Sequence, residues 1–282
     1  MSNVVTFVHL TDLHIGEPGV PDDHLYSDTT ANLRAILADV KRMDPAPAFV
    51  VASGDLTNRG DVASYRHLQA VIAEAELAMP VLFALGNHDK REGFYEAMLG
   101  RTEDNTAPYD HDHVVDGVHV IVLDSSVPGK IGGAFEAGQL DWLKGRLEAH
   151  TELPKLLVMH HAPALDEDNP EMEWESLTIA DTQALRDLVE DHHVIGILSG
   201  HIHFDRVSNW YGIPLVVGIG QHAATDVLDM PRALRMVEGA SFAIGTLRDS
   251  GLTISFVPQP ATRRELHVID METMRKFLAA AE

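Results

Sequence analysis

Val81-Leu82-Phe83-Ala84-Leu85-Gly86-Asn87-His88-Asp89 joins an apolar run, readable as a buried strand, to a glycine turn and three polar residues that can bind a ligand or move a proton. An apolar run ending in such polar residues recurs four times, twice with the glycine. Run 4–10 ends at Asp12-Leu13-His14, run 49–52 at Gly54-Asp55, run 155–159 at His160-His161, and run 194–198 at Gly200-His201-Ile202-His203. In open α/β sheets ligands bind beyond the carboxyl ends of the strands, so five loops are expected to converge on one place. Residues i and i+2 leaving a strand point to one side, which lets Asp12 with His14, and His201 with His203, address one site. The glycines at 54, 86 and 200 permit sharp turns and close backbone approach. A chance Gly-Asn-His-Asp in a chain this long has odds on the order of a few in a thousand.

Working outward from these runs, helix-like stretches at 30–41 and 62–76 fall between the first three strands, giving a layered βαβα rhythm. Asp116-Gly117 joins 113–115 to 118–123 as a hairpin, and helices are expected over 139–149 and 182–189. From residue 204 the pattern turns to strands and turns, 204–210, 213–217, 241–247 and 252–257, expected to form a second, mostly antiparallel sheet packed on the first. Segment 162–177, rich in acid and proline and carrying Met172 and Trp174, reads either as a functional loop or as a solvated excursion. No repeat or linker is evident. The expected organisation is one domain over 1–260 with a tail, 261–282, that ends in a helix-like stretch at 271–281.

The 282 residues carry 43 acidic against 21 basic side chains, a formal net charge of -22, with no basic run. Such a field repels polyanions, so nucleic-acid polymers and anionic membranes are poor partners. The first apolar run is too short and lacks the basic flank of a signal peptide, and no stretch approaches a membrane span, so a cytoplasmic location is expected. With no cysteine there is no thiolate nucleophile and no sulfur ligand; the 17 histidines make a nitrogen and oxygen metal site the natural expectation.

Taken together the five motifs resemble those of the calcineurin-like metallophosphoesterases, D-x-H, G-D, G-N-H-D, an isolated His and G-H-x-H, in that order. The His-His after a strand and the Gly-His-Ile-His are most similar to the bacterial class III cyclic nucleotide phosphodiesterases and their glycerophosphodiesterase relatives. The resemblance implies an α/β fold, a four-layer α-β-β-α sandwich of two mixed sheets. It implies two divalent ions per chain (Mn²⁺, Fe²⁺/Fe³⁺ or Zn²⁺), one held by Asp12, His14, Asp55 and His203 and the other by Asp55, Asn87, His160 and His201, with Asp55 between them. The family usually has His-His-Pro-Pro where this chain has His160-His161-Ala162-Pro163, so the choice of His160 over His161 is the softest; His161 is then a residue of the rim, near the substrate. His88 is expected over the phosphate, as a stabiliser of charge or a proton donor to the leaving oxygen, with Asp89 holding its ring.

Arg59, four residues after Asp55, is a candidate for an anionic substrate, against the commoner solvated arginine; Gln221 and His222 follow a run that in relatives ends near the substrate. The remaining histidines, His9, His24, His67, His111, His113, His119, His150, His192, His193 and His267, fit no motif and read as structural or solvated. Two divalent ions, offset by two aspartates and one hydroxide, leave the cluster with a single net positive charge, which suits a phosphodiester. The expected reaction is hydrolysis of a small phosphodiester by a metal-bridging hydroxide, with the ions ~3.5–4 Å apart. A 3′,5′-cyclic nucleotide such as cAMP is the leading substrate. The alternatives are a glycerophosphodiesterase or 2′,3′-cyclic nucleotide phosphodiesterase of broad specificity and, in another class, an inert metal-binding regulatory protein. Assembly is left open between monomer, homodimer and higher homo-oligomer.

Overall fold

Residues 4–228 and 234–259 are described by a computed structural model. Three strands, β1 (Val5–Leu10), β2 (Phe49–Ser53) and β3 (Val81–Ala84), run parallel and side by side, and helices α1 (Thr29–Lys41) and α2 (Val62–Ala75) make the crossovers between them. Beyond β3 come α3 (Arg91–Leu99), the hairpin β4 (His111–Val115) and β5 (Val118–Val122), then α4 (Gln139–Glu148), β6 (Lys155–Val158), a 3-10 helix over Pro170–Glu175, α5 (Ile179–Val189) and β7 (Val194–Ser199). The chain continues through β8 (Arg206–Trp210), β9 (Ile213–Val217), the short pair β10 (Ala224–Thr225) and β11 (Met236–Val237), and a long hairpin of β12 (Ala240–Arg248) and β13 (Gly251–Gln259). The helix-like stretch at 271–281, and the rest of the tail, lie outside the described residues.

The strands form two mixed sheets, ordered β13-β12-β1-β2-β3 and β4-β5-β6-β7-β9-β8. The expectation of a separate antiparallel sheet built from the last third is corrected. The β8–β9 hairpin extends the second sheet, where β9 is parallel to β7, and the β12–β13 hairpin closes the first sheet antiparallel to β1. Alternation along a strand marks its faces but not its sheet, and that is why the sequence left this assignment open.

The layers follow from the same alternation. Phe7, Phe49, Val51 and Leu82 face Val120, Val122, Leu156, Val158 and Leu198 across the gap between sheets, with Phe7 and Phe49 stacked 5.2 Å apart. Their neighbours Val8, Val50 and Ala52 turn outward under α1 and α2, which bury Leu33, Ile36, Leu37, Val40 and Leu68 at helical spacing. On the opposite side Leu143, Leu147, Leu185 and Val189 cover Ile121, Leu157 and Ile197. The result is the expected four-layer α-β-β-α sandwich.

Helix α3 was not legible in the sequence. It lacks a side-chain cap, and Gly93 interrupts it. Packing decides instead, since Phe94 stacks edge-on to Tyr65, and any side chain at 93 would collide with the Gly60 carbonyl. Arg91 anchors its start, donating to Asp124 Oδ2 (2.8 Å) and to the carbonyls of Thr106 (3.0 Å) and Ser126 (2.8 Å). Among the described residues no helix is long and apolar enough to cross a membrane.

Candidate metal centre

The loops leaving β1, β2, β3, β6 and β7 meet at one rim of the sandwich, as the five motifs implied. Asp12, His14, Asp55, His201 and His203 all have positive φ, a costly backbone for non-glycine residues that persists only where surrounding contacts enforce it. Those contacts run between motifs. Asp12 N donates to Gly54 O (3.0 Å), His14 N to Asp55 O (2.9 Å), His88 N to Asp55 Oδ1 (2.8 Å) and His201 N to Asp12 Oδ2 (3.1 Å). Close approach also explains two glycines, because a Cβ at Gly86 would collide with Asp55 Oδ1 and one at Gly200 with Thr11 Oγ1 and Asp12 Oδ2.

The side-chain atoms point at a common space. Asp55 Oδ2 lies 3.6 Å from His14 Nε2 and 3.3 Å from His160 Nε2, while Asp12 Oδ1 lies 3.3 Å from His203 Nε2. His14 Nε2 and His203 Nε2 face each other at 3.3 Å. Each ring has its Nδ1 against a carbonyl-type oxygen, Asn58 Oδ1 for His14 (3.0 Å) and Ala223 O for His203 (2.9 Å). The amide of Asn58 is oriented by its donation to Asp22 Oδ2 (2.8 Å). Both Nδ1 atoms are therefore the protonated ones in the neutral rings, and two bare Nε2 lone pairs confront each other, an arrangement that a cation relieves. Asn87 Oδ1 and His160 Nε2 are buried with no hydrogen-bond partner. These unmatched donor atoms fit divalent ions, and His14, Asp55 and His160 recur, with Asp12 in one group, among the clusters whose atoms converge closely enough to hold one.

The two adjacent histidines are told apart by their hydrogen bonds. His160 Nδ1 donates to Ser53 O (3.0 Å), leaving Nε2 toward Asp55. His161 has both nitrogens engaged, Nδ1 with Ser125 Oγ (2.9 Å) and Nε2 with Ile131 O (2.9 Å), and is fully buried. Its expected place among the substrate contacts is thus corrected: the ring packs 4.5 Å from that of His201 and braces it. His201 Nε2 in turn donates to Trp174 O (2.7 Å), which leaves Nδ1 for a ligand.

Burial lowers the pKa of His14 well below its usual value and that of His201 to about 4, so both rings are neutral at neutral pH. At His160 burial is outweighed by the carboxylates of Asp55 and Asp12, which raise its pKa to about 9.

Three other expectations change. Asp89 does not hold His88. Its carboxylate accepts from Gly86 N (2.9 Å), Leu56 N (3.0 Å), Thr57 N (3.2 Å) and Tyr65 Oη (2.8 Å), lacing the second and third motif loops together, and burial, then repulsion from Asp55, raises its pKa to about 6. The His88 ring is set by Asn58 O, 2.9 Å from Nδ1, and remains exposed beside His14. Arg59 is not free for an anion, because it forms a two-pronged pair with Asp22 (2.7 and 2.8 Å) that secures Asn58 from behind. Gln221 is fully buried, its main-chain N donating to Asp12 O (3.0 Å) and its amide Nε2 to Ser241 O (2.8 Å). His222 does reach the site, with its ring 4.7 Å from that of His14 and stacked on Tyr26 at 5.1 Å.

The cluster opens into a cavity of about 300 Å³ lined by His14, Asp55, Asn87, His88, His201 and His203 at its floor and by Tyr26, Ile131, Trp174, Phe204, Leu234 and Met236 above. Sequence reasoning missed Asn58, whose only signal was its place three residues after Asp55, and the apolar rim, which comes from loops without motifs. His24, read as structural or solvated, also lines this cavity.

The sequence pattern of calcineurin-like phosphoesterases matches residues 5–205. The chain belongs to the calcineurin-like phosphoesterase family. It is a hydrolase of phosphate esters. A probable cyclic nucleotide phosphodiesterase of Rhodococcus erythropolis is 34% identical over 213 residues, covering 74% of this chain and 68% of that protein. A cAMP/cGMP dual specificity phosphodiesterase of Mycobacterium tuberculosis is 31% identical over 217 residues, covering 74% of this chain and 65% of that protein. The match thus spans about two thirds of each relative's length. The solved purple acid phosphatase PPD1 of yellow lupin shares the fold, with a TM-score of 0.65 at 14% identity over 91% of this chain and 52% of the lupin chain.

Proposed function

We propose that this phosphoesterase hydrolyses small phosphodiesters, 3′,5′-cyclic nucleotides foremost, with two divalent ions. The observation that carries the two-ion reading is the facing pair of bare Nε2 atoms on His14 and His203, together with the unmatched Asn87 Oδ1 and His160 Nε2, the latter 3.3 Å from Asp55 Oδ2. Asp12, His14, Asp55 and His203 hold one ion, and Asp55, Asn87, His160 and His201 the other. Bound there, the ions supply Lewis acidity toward the phosphoryl oxygens and a water acidic enough to attack at neutral pH.

The chain's own residues do the rest. Arg59, Asp22 and Asn58 fix His14 in the Nδ1-protonated form, while the Asn58 carbonyl turns His88 so that its Nε2 is the atom free to hold a proton at the leaving oxygen. Asp89 keeps the two motif loops in register, so Asp55 and Asn87 reach the same space. The apolar rim excludes water from the organic part of the substrate. The cyclic nucleotide preference is supported by the two bacterial relatives, whose names record that activity.

Manganese-loaded protein assayed on 3′,5′-cAMP, 2′,3′-cAMP and glycerophosphocholine tests the reading. The highest kcat/KM is expected for 3′,5′-cAMP; negligible hydrolysis of both cyclic nucleotides would overturn it.

A further inference from the structure

The two oxygens of Asp12, a fully buried carboxylate, have different surroundings. Oδ1 lies 3.3 Å from His203 Nε2 and 3.9 Å from His14 Nε2. Oδ2 is taken by the Thr11 hydroxyl, which donates to it at 2.7 Å, the length expected of a hydrogen bond to a charged carboxylate. The amide of His201 also donates, but it is shared, 3.1 Å from Oδ2 and 3.2 Å from Oδ1. The amide therefore does not choose between the two oxygens. The Thr11 hydroxyl does.

Thr11 is itself held on both branches. It is buried, and a Cβ added at Gly200 would lie 1.9 Å from its Oγ1, while one added at Gly218 would lie 3.0 Å from its Cγ2. The hydroxyl is thus enclosed by the loop after β7 and the methyl by the loop after β9. A β-branched side chain has few rotamers to begin with, and these contacts keep the hydroxyl from swinging away from Oδ2.

A carboxylate free to turn can give a metal ion one oxygen or two, and the second oxygen fills a position that a catalytic site leaves for water or substrate. We propose that Thr11 is a positioning residue of the metal centre: its hydroxyl holds Asp12 Oδ2, so that Oδ1 alone is presented to the ion beside His14 and His203. The proposal rests on the reading of Asp12, His14 and His203 as holders of one ion. It adds that the choice of oxygen is made by a side chain that touches no ion itself.

Valine and serine separate the two branches of threonine. Thr11→Val keeps the methyl beneath Gly218 and removes the hydroxyl, whereas Thr11→Ser keeps the hydroxyl and removes the methyl. Chelator-stripped wild type and both variants are titrated with Mn²⁺ by calorimetry, beside His14→Ala, whose lost step marks the ion in question. Thr11→Val is expected to weaken that step about ten- to a hundredfold and to leave the other step in place, which also shows that the variant folds. Thr11→Ser is expected to titrate like wild type. Thr11→Ala, which also lacks the hydroxyl, takes the place of the valine variant should that one fail to fold. Unshifted steps without the hydroxyl, or both steps weakened alike, overturn the proposal. So does a serine variant impaired as much as the valine one, because packing of the methyl then accounts for the effect. Wild-type protein that binds a single ion overturns the two-ion reading, while the role of Thr11 stands if valine weakens that ion and serine restores it. Protein that takes up no Mn²⁺ overturns both.

Discussion

At His160 the ring gives its Nδ1 proton to the Ser53 carbonyl and keeps Nε2 for the cluster; at His161 both nitrogens are spent on Ser125 and Ile131. The two are neighbours in sequence and indistinguishable in type, and only the hydrogen bonds separate the proposed ligand from a brace. His160→Ala is expected to lower the ions bound per chain by one and activity by at least about a hundredfold. His161→Gln should keep both ions, with activity within about tenfold of wild type. Metal analysis of the purified variants checks both, and equal metal loss in the two would refute the distinction. The motif residues were legible because each group follows an apolar run, three of the five with a glycine at the turn. Arg59 was misread because its partner, Asp22, lies 37 residues earlier in a loop without any pattern.

Among the elements, the 3-10 helix over Pro170–Glu175 shows what segment 162–177 does. Its Trp174 carbonyl holds His201 Nε2. The neighbouring loop supports it through Gly133 N to Ser176 O (2.9 Å) and Thr178 N to Gly133 O (3.0 Å), and Gly132 packs directly on its backbone. A Cβ at 132 would lie 2.5 Å from Glu173 O and 3.2 Å from Trp174 Cα, so the segment must move. Gly132→Ala should thus weaken the ion held by His201 about ten- to a hundredfold and leave the other unchanged, the range seen when a residue supporting a ligand is lost. Calorimetric titration with Mn²⁺ reads the two steps, and two unshifted steps would rule the clamp out. From sequence this segment was acid, proline and one tryptophan; the strands and major helices were clear because their periodicities are local, whereas a clamp made by a main-chain carbonyl has no side-chain signature.

Over the whole molecule, the fold class was legible from the alternation of strands and helices, while the joining of the last hairpin to β1 was not, since edge pairing leaves little trace in a strand's own residues. Stability also has a pH dependence away from the metal centre. Asp110, which accepts from Asp124 N (2.8 Å) and Gln139 Nε2 (2.9 Å), has its pKa raised to about 6, chiefly by burial. A raised acid favours the native state below its unfolded value near 3.8, and that contribution is lost as pH rises through about 6. At pH 8 the cost is about 3 kcal/mol at most. Asp110→Asn keeps the accepting oxygen, so its stability relative to wild type should rise between pH 5 and pH 8. Parallel urea denaturation midpoints at the two pH values would contradict this.

Seven residues from five loops are proposed to hold two ions, and hydrolysis to need both. Protein stripped by chelation and titrated with Mn²⁺, with bound metal and cAMP hydrolysis followed together, tests this most directly. Little activity is expected at one equivalent and full activity as the second is bound; full activity at one equivalent, or activity surviving without metal, would contradict a two-ion reaction.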